Sequence, residues 1–151
     1  MNGSLRIGLA GLGTVGIEVA GRLLNGAVPG VMLTAVCARD RARDRGIDLS
    51  MVRWLDHPVE LAAAGDVDLV VELIGGTGDP AAALIDSALA AGKSVVTANK
   101  ALLAERAMQL AVVCEASGAS LAYEAAVAGG IPVIKTLREA LAGNKMNRIS
   151  G

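Results

Sequence analysis

The sequence predicts an α/β fold, a doubly wound parallel sheet in three αβα layers, and three observations predict it. Strand and helix signals alternate along the 151 residues. The strand segments are short and apolar throughout, as strands buried on both faces are. The first of them runs directly into Gly11-Leu12-Gly13-Thr14-Val15-Gly16, and an apolar-periodic segment follows. Elements of this length in alternation imply right-handed crossovers, hence a parallel sheet with helices on both sides.

The elements follow in order. Residues 5–10 form the first strand and 14–25 the first helix, with Val15, Val19 and Leu23 at helical spacing. Gly26 and Pro29-Gly30 break the chain, and 31–37 is the second strand. The charged stretch 38–53 carries no clear pattern. Asp56 is placed to cap a short helix through Ala64, with Pro58 in its first turn. Residues 68–74 are the third strand, closed by Gly75-Gly76-Thr77-Gly78. Asp79 caps the next helix, Leu84, Ile85, Ala88 and Leu89 give it one apolar face, and Gly92 stops it. Residues 94–97 are the fourth strand. A long helix spans 101–117 with Asn99 as cap, Leu103, Ala107, Leu110, Ala111 and Cys114 facing inward, and Gly118 after it. Residues 120–124 are a fifth strand. A helix over 132–142 turns Val133, Ile134, Leu137 and Leu141 inward, and 146–151 opens a sixth strand.

Composition narrows the function classes. The chain is 53% hydrophobic with one Trp, one Tyr and no Phe, so aliphatic side chains fill the core and base-stacking platforms are excluded. A net charge of −1 without a basic face argues against nucleic acid. No apolar run is long enough to span a bilayer. Met1-Asn2-Gly3-Ser4 leads straight into the first strand, so no signal peptide is expected and the setting is read as cytoplasmic. Cys37 and Cys114 lie in apolar segments and read as buried reduced thiols; no Cys/His cluster supports a metal or redox pair. His57, before Pro58, is surface or helix-start material.

Ligands of such sheets bind beyond the carboxyl ends of the strands. Gly11, Gly13 and Gly16 form G-x-G-x-x-G between strand and helix, the context of a Rossmann-type dinucleotide site. The first glycine permits the turn, the second lets backbone approach a pyrophosphate, and the third lets the helix pack close. The helix N-terminus adds free N–H groups and partial positive charge. Arg39, about 20 residues beyond the glycine turn, stands where an arginine favours the 2′-phosphate of NADP. Asp40 leaves NAD open, and a solvated charged loop is the plainer reading. Lys100 follows the fourth strand in Thr97-Ala98-Asn99-Lys100. It either reaches the cleft or is a surface lysine at a helix start. Glu124 sits in an apolar, glycine-rich stretch. Its carboxylate with nearby carbonyls is a donor set for a hard cation, or it bonds a neighbouring loop. Glu72, late in the third strand, reads as a structural hydrogen-bonding carboxylate.

Four segments together resemble the nucleotide-binding half of homoserine dehydrogenase: Gly-Leu-Gly-Thr-Val-Gly at 11–16, Val-Glu-Leu-Ile-Gly-Gly at 71–76, Val-Thr-Ala-Asn-Lys-Ala-Leu-Leu-Ala at 96–104 and Glu-Ala-Ala-Val-Ala-Gly-Gly-Ile-Pro-Val-Ile at 124–134. Leu-Arg-Glu-Ala-Leu-Ala-Gly at 137–143 extends the last. The resemblance implies an NAD(P)-dependent oxidoreductase that interconverts L-homoserine and L-aspartate 4-semialdehyde in threonine, methionine and isoleucine biosynthesis. It implies that Gly11, Leu12, Gly13, Thr14, Val15 and Gly16 hold the pyrophosphate and Arg39 the 2′-phosphate. Gly75 and Gly76 would approach the nicotinamide ribose, and Thr97 and Lys100 the cofactor at the substrate cleft. Glu124, with the carbonyls of Val127, Gly129 and Ile131, would match the family's monovalent cation (Na+) site. The family's catalytic lysine, substrate-binding acids and dimer interface belong to a second domain, so no catalytic residue is assigned to this chain. Residues 1–151 are expected to be one dinucleotide-binding domain of a longer, homo-oligomeric enzyme with a small-molecule substrate. Such a domain would bind cofactor without turning over substrate alone. The alternative is a free-standing dinucleotide-binding module, a sensor or interaction partner without catalysis.

Overall fold

The computed structural model describes residues 3–129, 131–145 and 147–148. Its centre is one sheet of six parallel strands: β1 (Leu5–Ala10), β2 (Val31–Cys37), β3 (Arg53–Trp54), β4 (Leu69–Glu72), β5 (Ser94–Thr97) and β6 (Leu121–Ala122). Their order is β3-β2-β1-β4-β5-β6, so the chain winds outward from β1 in one direction and then in the other. This is the doubly wound Rossmann-type arrangement, with its switch point between β1 and β4.

Alternation along the strands divides the core by face. Ile7, Leu9, Leu33 and Val36 join Ala20 of α1 (Thr14–Leu24) in one cluster. Ala10, Ala35, Cys37 and Val70 join the other, with Leu61 of α2 (Glu60–Ala63), Leu84, Ile85 and Leu89 of α3 (Ala81–Ala90), and Leu102 and Leu110 of α4 (Lys100–Ser117). Gly8 is small for a reason of space: a Cβ there would stand 2.8 Å from Leu61 and 2.9 Å from Val67. The layers are unequal. Leu69, Val71 and Val96, on the α1 face of β4 and β5, stay half-buried.

Helix ends follow the local chemistry. Asn99 accepts a hydrogen bond from the Leu102 N–H at 3.1 Å, and Gly118 closes α4 in the left-handed region at φ 73°. Asp79 accepts from the Ala83 N–H at 3.1 Å, so it serves the start of α3 from one residue outside the Pro80 cap. Lys93 donates to the Ala64 carbonyl at 2.5 Å, closing the end of α2.

Several expectations need correction. The charged 38–53 stretch ends in β3, a two-residue edge strand too short to show a period. The helix expected from Asp56 shrinks to α2, and no side chain caps it; Glu60 and Leu61 enter it through turns on the carbonyls of His57 and Pro58. The fifth strand shortens to β6, and Glu124 stands in a 3-10 turn, Glu124–Ala126, rather than at a strand end. The 132–142 helix is a short α5 (Val133–Lys135) running into a π turn, Thr136–Ala140; Val133, Ile134, Leu137 and Leu141 are only half-buried. On α4, Ala107 and Ala111 are exposed; with Leu103 and Cys114 they line an open groove of about 440 Å3 along Leu121, Ala122 and Tyr123. The expected sixth strand falls largely outside the described residues.

Arg6 at the head of β1 grips Asp68 just before β4, through Nε to Oδ2 at 2.9 Å and a second guanidinium N–H to Oδ1 at 2.5 Å. The Asp68 carboxylate also accepts the Arg6 backbone N–H. These bonds hold its pKa down at about 2. An unfolded aspartate titrates near ~3.9, so the contact stabilises the fold fully above that pH and is lost as pH falls toward 2. Acid titration of unfolding is therefore expected to be steeper between pH 4 and 2 in the wild type than in Asp68→Asn. Parallel curves would show that the pair contributes nothing.

Candidate functional site

Gly11 to Gly16 lies where the sheet order reverses. The Gly11 N–H donates to the Cys37 carbonyl at 2.9 Å, and the Leu73 N–H to the Ala10 carbonyl at 2.8 Å, so the turn is clamped between β2 and β4. Gly11 sits at φ +96°, and a Cβ there would stand 2.6 Å from the Leu73 carbonyl oxygen. A Cβ on Gly16 would stand 2.0 Å from the Gly11 carbonyl oxygen. These two glycines are demanded by the fold. Gly13 is different: it caps α1 with no side-chain bond, its φ is −81°, and a Cβ there would meet nothing within 4 Å. Ordinary backbone and open space mean that the protein itself does not require glycine at that position. Leu12 is buried beneath the turn while Gly13, Thr14 and Val15 are exposed, and the first turn of α1 carries no acid. The start of α1 thus offers N–H groups and partial positive charge to solvent, with room for an anion.

At the end of β2, Arg39 is exposed and forms no ion pair among the described residues. Asp40 turns back into its own loop: Oδ1 accepts the N–H groups of Ala42 and Arg43, both at 3.1 Å. Arg45 donates to the carbonyls of Asp40 and Arg43. Arg41 and Arg45 lie 5.5 and 5.4 Å from the centre of the Trp54 ring. The loop is thereby folded against β3 over a cleft of about 300 Å3, leaving Arg39 outside the arrangement. The charge pattern of the loop did not reveal this support, which depends on where the fold brings Trp54.

At the ends of β4 and β5 two turns meet. Gly75 and Gly76 adopt φ values of 79° and 88°. Glu72 is fully buried and accepts hydrogen bonds from Ile74 N–H at 2.7 Å, Gly75 N–H at 2.9 Å and the Thr97 hydroxyl at 2.6 Å. Its expected structural role holds. Thr97 faces inward: it is fully buried, and its oxygen also accepts the Asn99 N–H at 3.0 Å, so its side chain supports the turn and does not reach the cleft. Lys100 is exposed at the first position of α4.

Glu124 is exposed. The following chain turns through Ala128, a non-glycine residue at φ 56°. Val127 and Gly129 carry the other expected donors, and the Ile131 carbonyl accepts the Val133 N–H at 2.7 Å. Among the described residues no cluster of three His, Cys, Asp or Glu side chains could hold a metal. The two cysteines are free thiols; burial pushes Cys37 up to about 11 and raises Cys114 as well. His57 is exposed. Among the described residues no helix is long and apolar enough to cross a membrane.

Comparison with known proteins agrees with this fold. The family model for the homoserine dehydrogenase NAD binding domain matches residues 11–145. Homoserine dehydrogenase of Neisseria gonorrhoeae is 42% identical over 154 residues, covering 97% of this chain and 35% of that protein. The Mycobacterium leprae enzyme is 41% identical, covering 96% and 34%. Among solved structures, homoserine dehydrogenase from Thiobacillus denitrificans superposes with a TM-score of 0.82 at 36% identity, over 93% of this chain and 34% of that one. The Staphylococcus aureus enzyme gives 0.70 at 31% identity. The chain spans about a third of the length of the relatives it matches.

Proposed function

The chain belongs to the homoserine dehydrogenase family through its NAD-binding domain, and from that premise we propose that it holds NADP in preference to NAD along the carboxyl edge of the sheet. The observation that carries the proposal is Gly13, a glycine whose conformation and surroundings give the fold no use for it. A Cβ there would occupy the space before the free N–H groups of α1, where a pyrophosphate needs close backbone approach. Gly11 and Gly16 set that turn, with Leu12 buried beneath it and Thr14 and Val15 at its rim. Arg39 is the 2′-phosphate contact: among the described residues its guanidinium forms no ion pair, whereas one oxygen of Asp40 already serves its own loop. Gly75 and Gly76 offer backbone to the nicotinamide ribose, and Lys100 offers a fixed charge at the substrate side. When bound, the cofactor supplies hydride transfer chemistry. The residues named here bind and orient it.

In the family's full length this domain would serve the interconversion of homoserine and aspartate 4-semialdehyde, within a homo-oligomer and in a reducing, cytoplasmic setting that suits two free thiols. A monovalent cation belongs to the same proposal. The Glu124 carboxylate and the carbonyls of Val127, Gly129 and Ile131 form an all-oxygen donor set suited to a hard cation, which would stiffen the turn after β6. The Ile131 oxygen keeps one lone pair for it beside its Val133 bond.

Titration with NADPH and NADH tests the reading. NADPH is expected to bind more tightly. Arg39→Ala is expected to lower NADPH affinity about tenfold, the ~1.4 kcal/mol of one charge-assisted contact, and to leave NADH affinity within a factor of two. Unchanged NADPH affinity in Arg39→Ala would remove Arg39 from the site.

A further inference from the structure

The carboxylate of Glu72 closes a ring of hydrogen bonds that nothing about sheet packing requires. Oε1 takes the N–H groups of Ile74 and Gly75; Oε2 takes the Thr97 hydroxyl. The Thr97 oxygen takes the Asn99 N–H, and the Asn99 side-chain amide donates to the Gly76 carbonyl at 2.7 Å. The ring thus returns to the turn it left. Among the described residues no cation pairs with Glu72, which is 0% exposed. An apolar residue at this strand end would avoid the desolvation that a buried carboxylate incurs. What the carboxylate gains is control of two turns at once. Gly75 and Gly76 are in the left-handed region, and a Cβ at either would meet nothing within 4 Å, so no neighbour on that side shapes the turn. The ring fixes it, from the N–H side through Glu72 and from the carbonyl side through Asn99. Asn99 also caps α4 through Leu102, so the same ring sets the helix start that presents Lys100.

We infer that Glu72 is a positioning residue that locks the 73–76 turn to the 97–100 turn and so holds the nicotinamide-side surface of the cofactor edge in one arrangement. The inference rests on the dinucleotide reading above. It assigns Thr97 and Asn99 as the links of the lock. Glu72→Gln keeps an oxygen for the two backbone N–H groups but replaces the charge-assisted Thr97 bond with a neutral one in which the amide NH2 donates to the Thr97 oxygen, and so weakens one link with little change of volume.

The test compares NADPH with adenosine 2′,5′-bisphosphate, which lacks the nicotinamide half. In Glu72→Gln and Thr97→Val, NADPH affinity is expected to fall at least fivefold and the emission of bound NADPH to shift toward that of the free nucleotide. Affinity for adenosine 2′,5′-bisphosphate stays within twofold. Thr97→Ser, which keeps the hydroxyl, restores NADPH binding. Arg39→Ala gives the contrasting pattern, weakening both ligands. Wild-type affinity and emission in Glu72→Gln, or equal weakening of both ligands, overturns the lock. If the wild type binds neither ligand, the dinucleotide reading falls instead, and amide hydrogen exchange then tests the ring alone. Thr97→Val must speed exchange at Ile74 and Gly75 across the ring, and unchanged exchange there refutes it. The Thr97 pair also decides the matter if Glu72→Gln does not fold.

Discussion

Gly16→Ala is expected to destabilise the chain by about 3 kcal/mol or more, at the upper end of overpacking. A domain of this size has about 5–15 kcal/mol in all, so the variant should melt about 6–12 °C lower. The cause is local and covalent in scale. An alanine Cβ at this position would stand 2.0 Å from the Gly11 carbonyl oxygen and 2.9 Å from its carbon. Neither atom can rotate away as a side chain would. Gly11 is itself fixed by its bond to Cys37 and by contact with Leu73, so relief requires α1 to move off β1. That movement uncovers Leu9 and Ala20, both fully buried. Denaturant unfolding followed by circular dichroism checks it: the midpoint should fall with the slope unchanged. A Gly16→Ala midpoint equal to the wild type would mean that the turn has slack the geometry does not show.

How far these features can be read in the sequence depends on the range over which each is determined. The glycine turn, the strands at 5–10, 31–37 and 94–97, the Asn99 cap and the Gly118 stop are local chemistry, and each stands within a residue of where its pattern puts it. Features decided by distant partners were not legible. β3 is two residues whose strand character comes from β2 alone. The Arg41, Arg45 and Trp54 arrangement spans a loop of mixed charge that reads equally well as a solvated surface. On α4 an alanine-rich stripe has too little hydrophobic contrast to say which face is buried, and Ala107 and Ala111 emerge beside a groove while Leu102 is fully enclosed. Thr97 shows the same limit within the site. Its position beside Lys100 marks it as near the cofactor edge, but only the fold shows that its hydroxyl is already shared between Glu72 and Asn99.

Gly13→Val is expected to do the reverse of Gly16→Ala: to leave stability nearly unchanged and remove nucleotide binding. The backbone there is extended, at φ −81° and ψ −162°, a conformation that a β-branched residue adopts readily. No atom beyond its chain neighbours lies within 4 Å of the Cβ position, so the branch point has room. The change at the helix cap costs at most about 1 kcal/mol. On the proposed pyrophosphate path the two methyl groups would stand between the start of α1 and the phosphates. NADPH and NADH affinity should both fall at least about 100-fold, equivalent to about 2.7 kcal/mol, with Gly13→Ala intermediate. Because the pyrophosphate is common to both cofactors, this loss must not discriminate between them, unlike that of Arg39→Ala. Isothermal titration beside a thermal melt reads both quantities in one preparation. If Gly13→Val bound NADPH as tightly as the wild type while melting normally, the pyrophosphate could not lie on this turn. Gly13, which the fold itself does not require, would then have no ligand to explain it either.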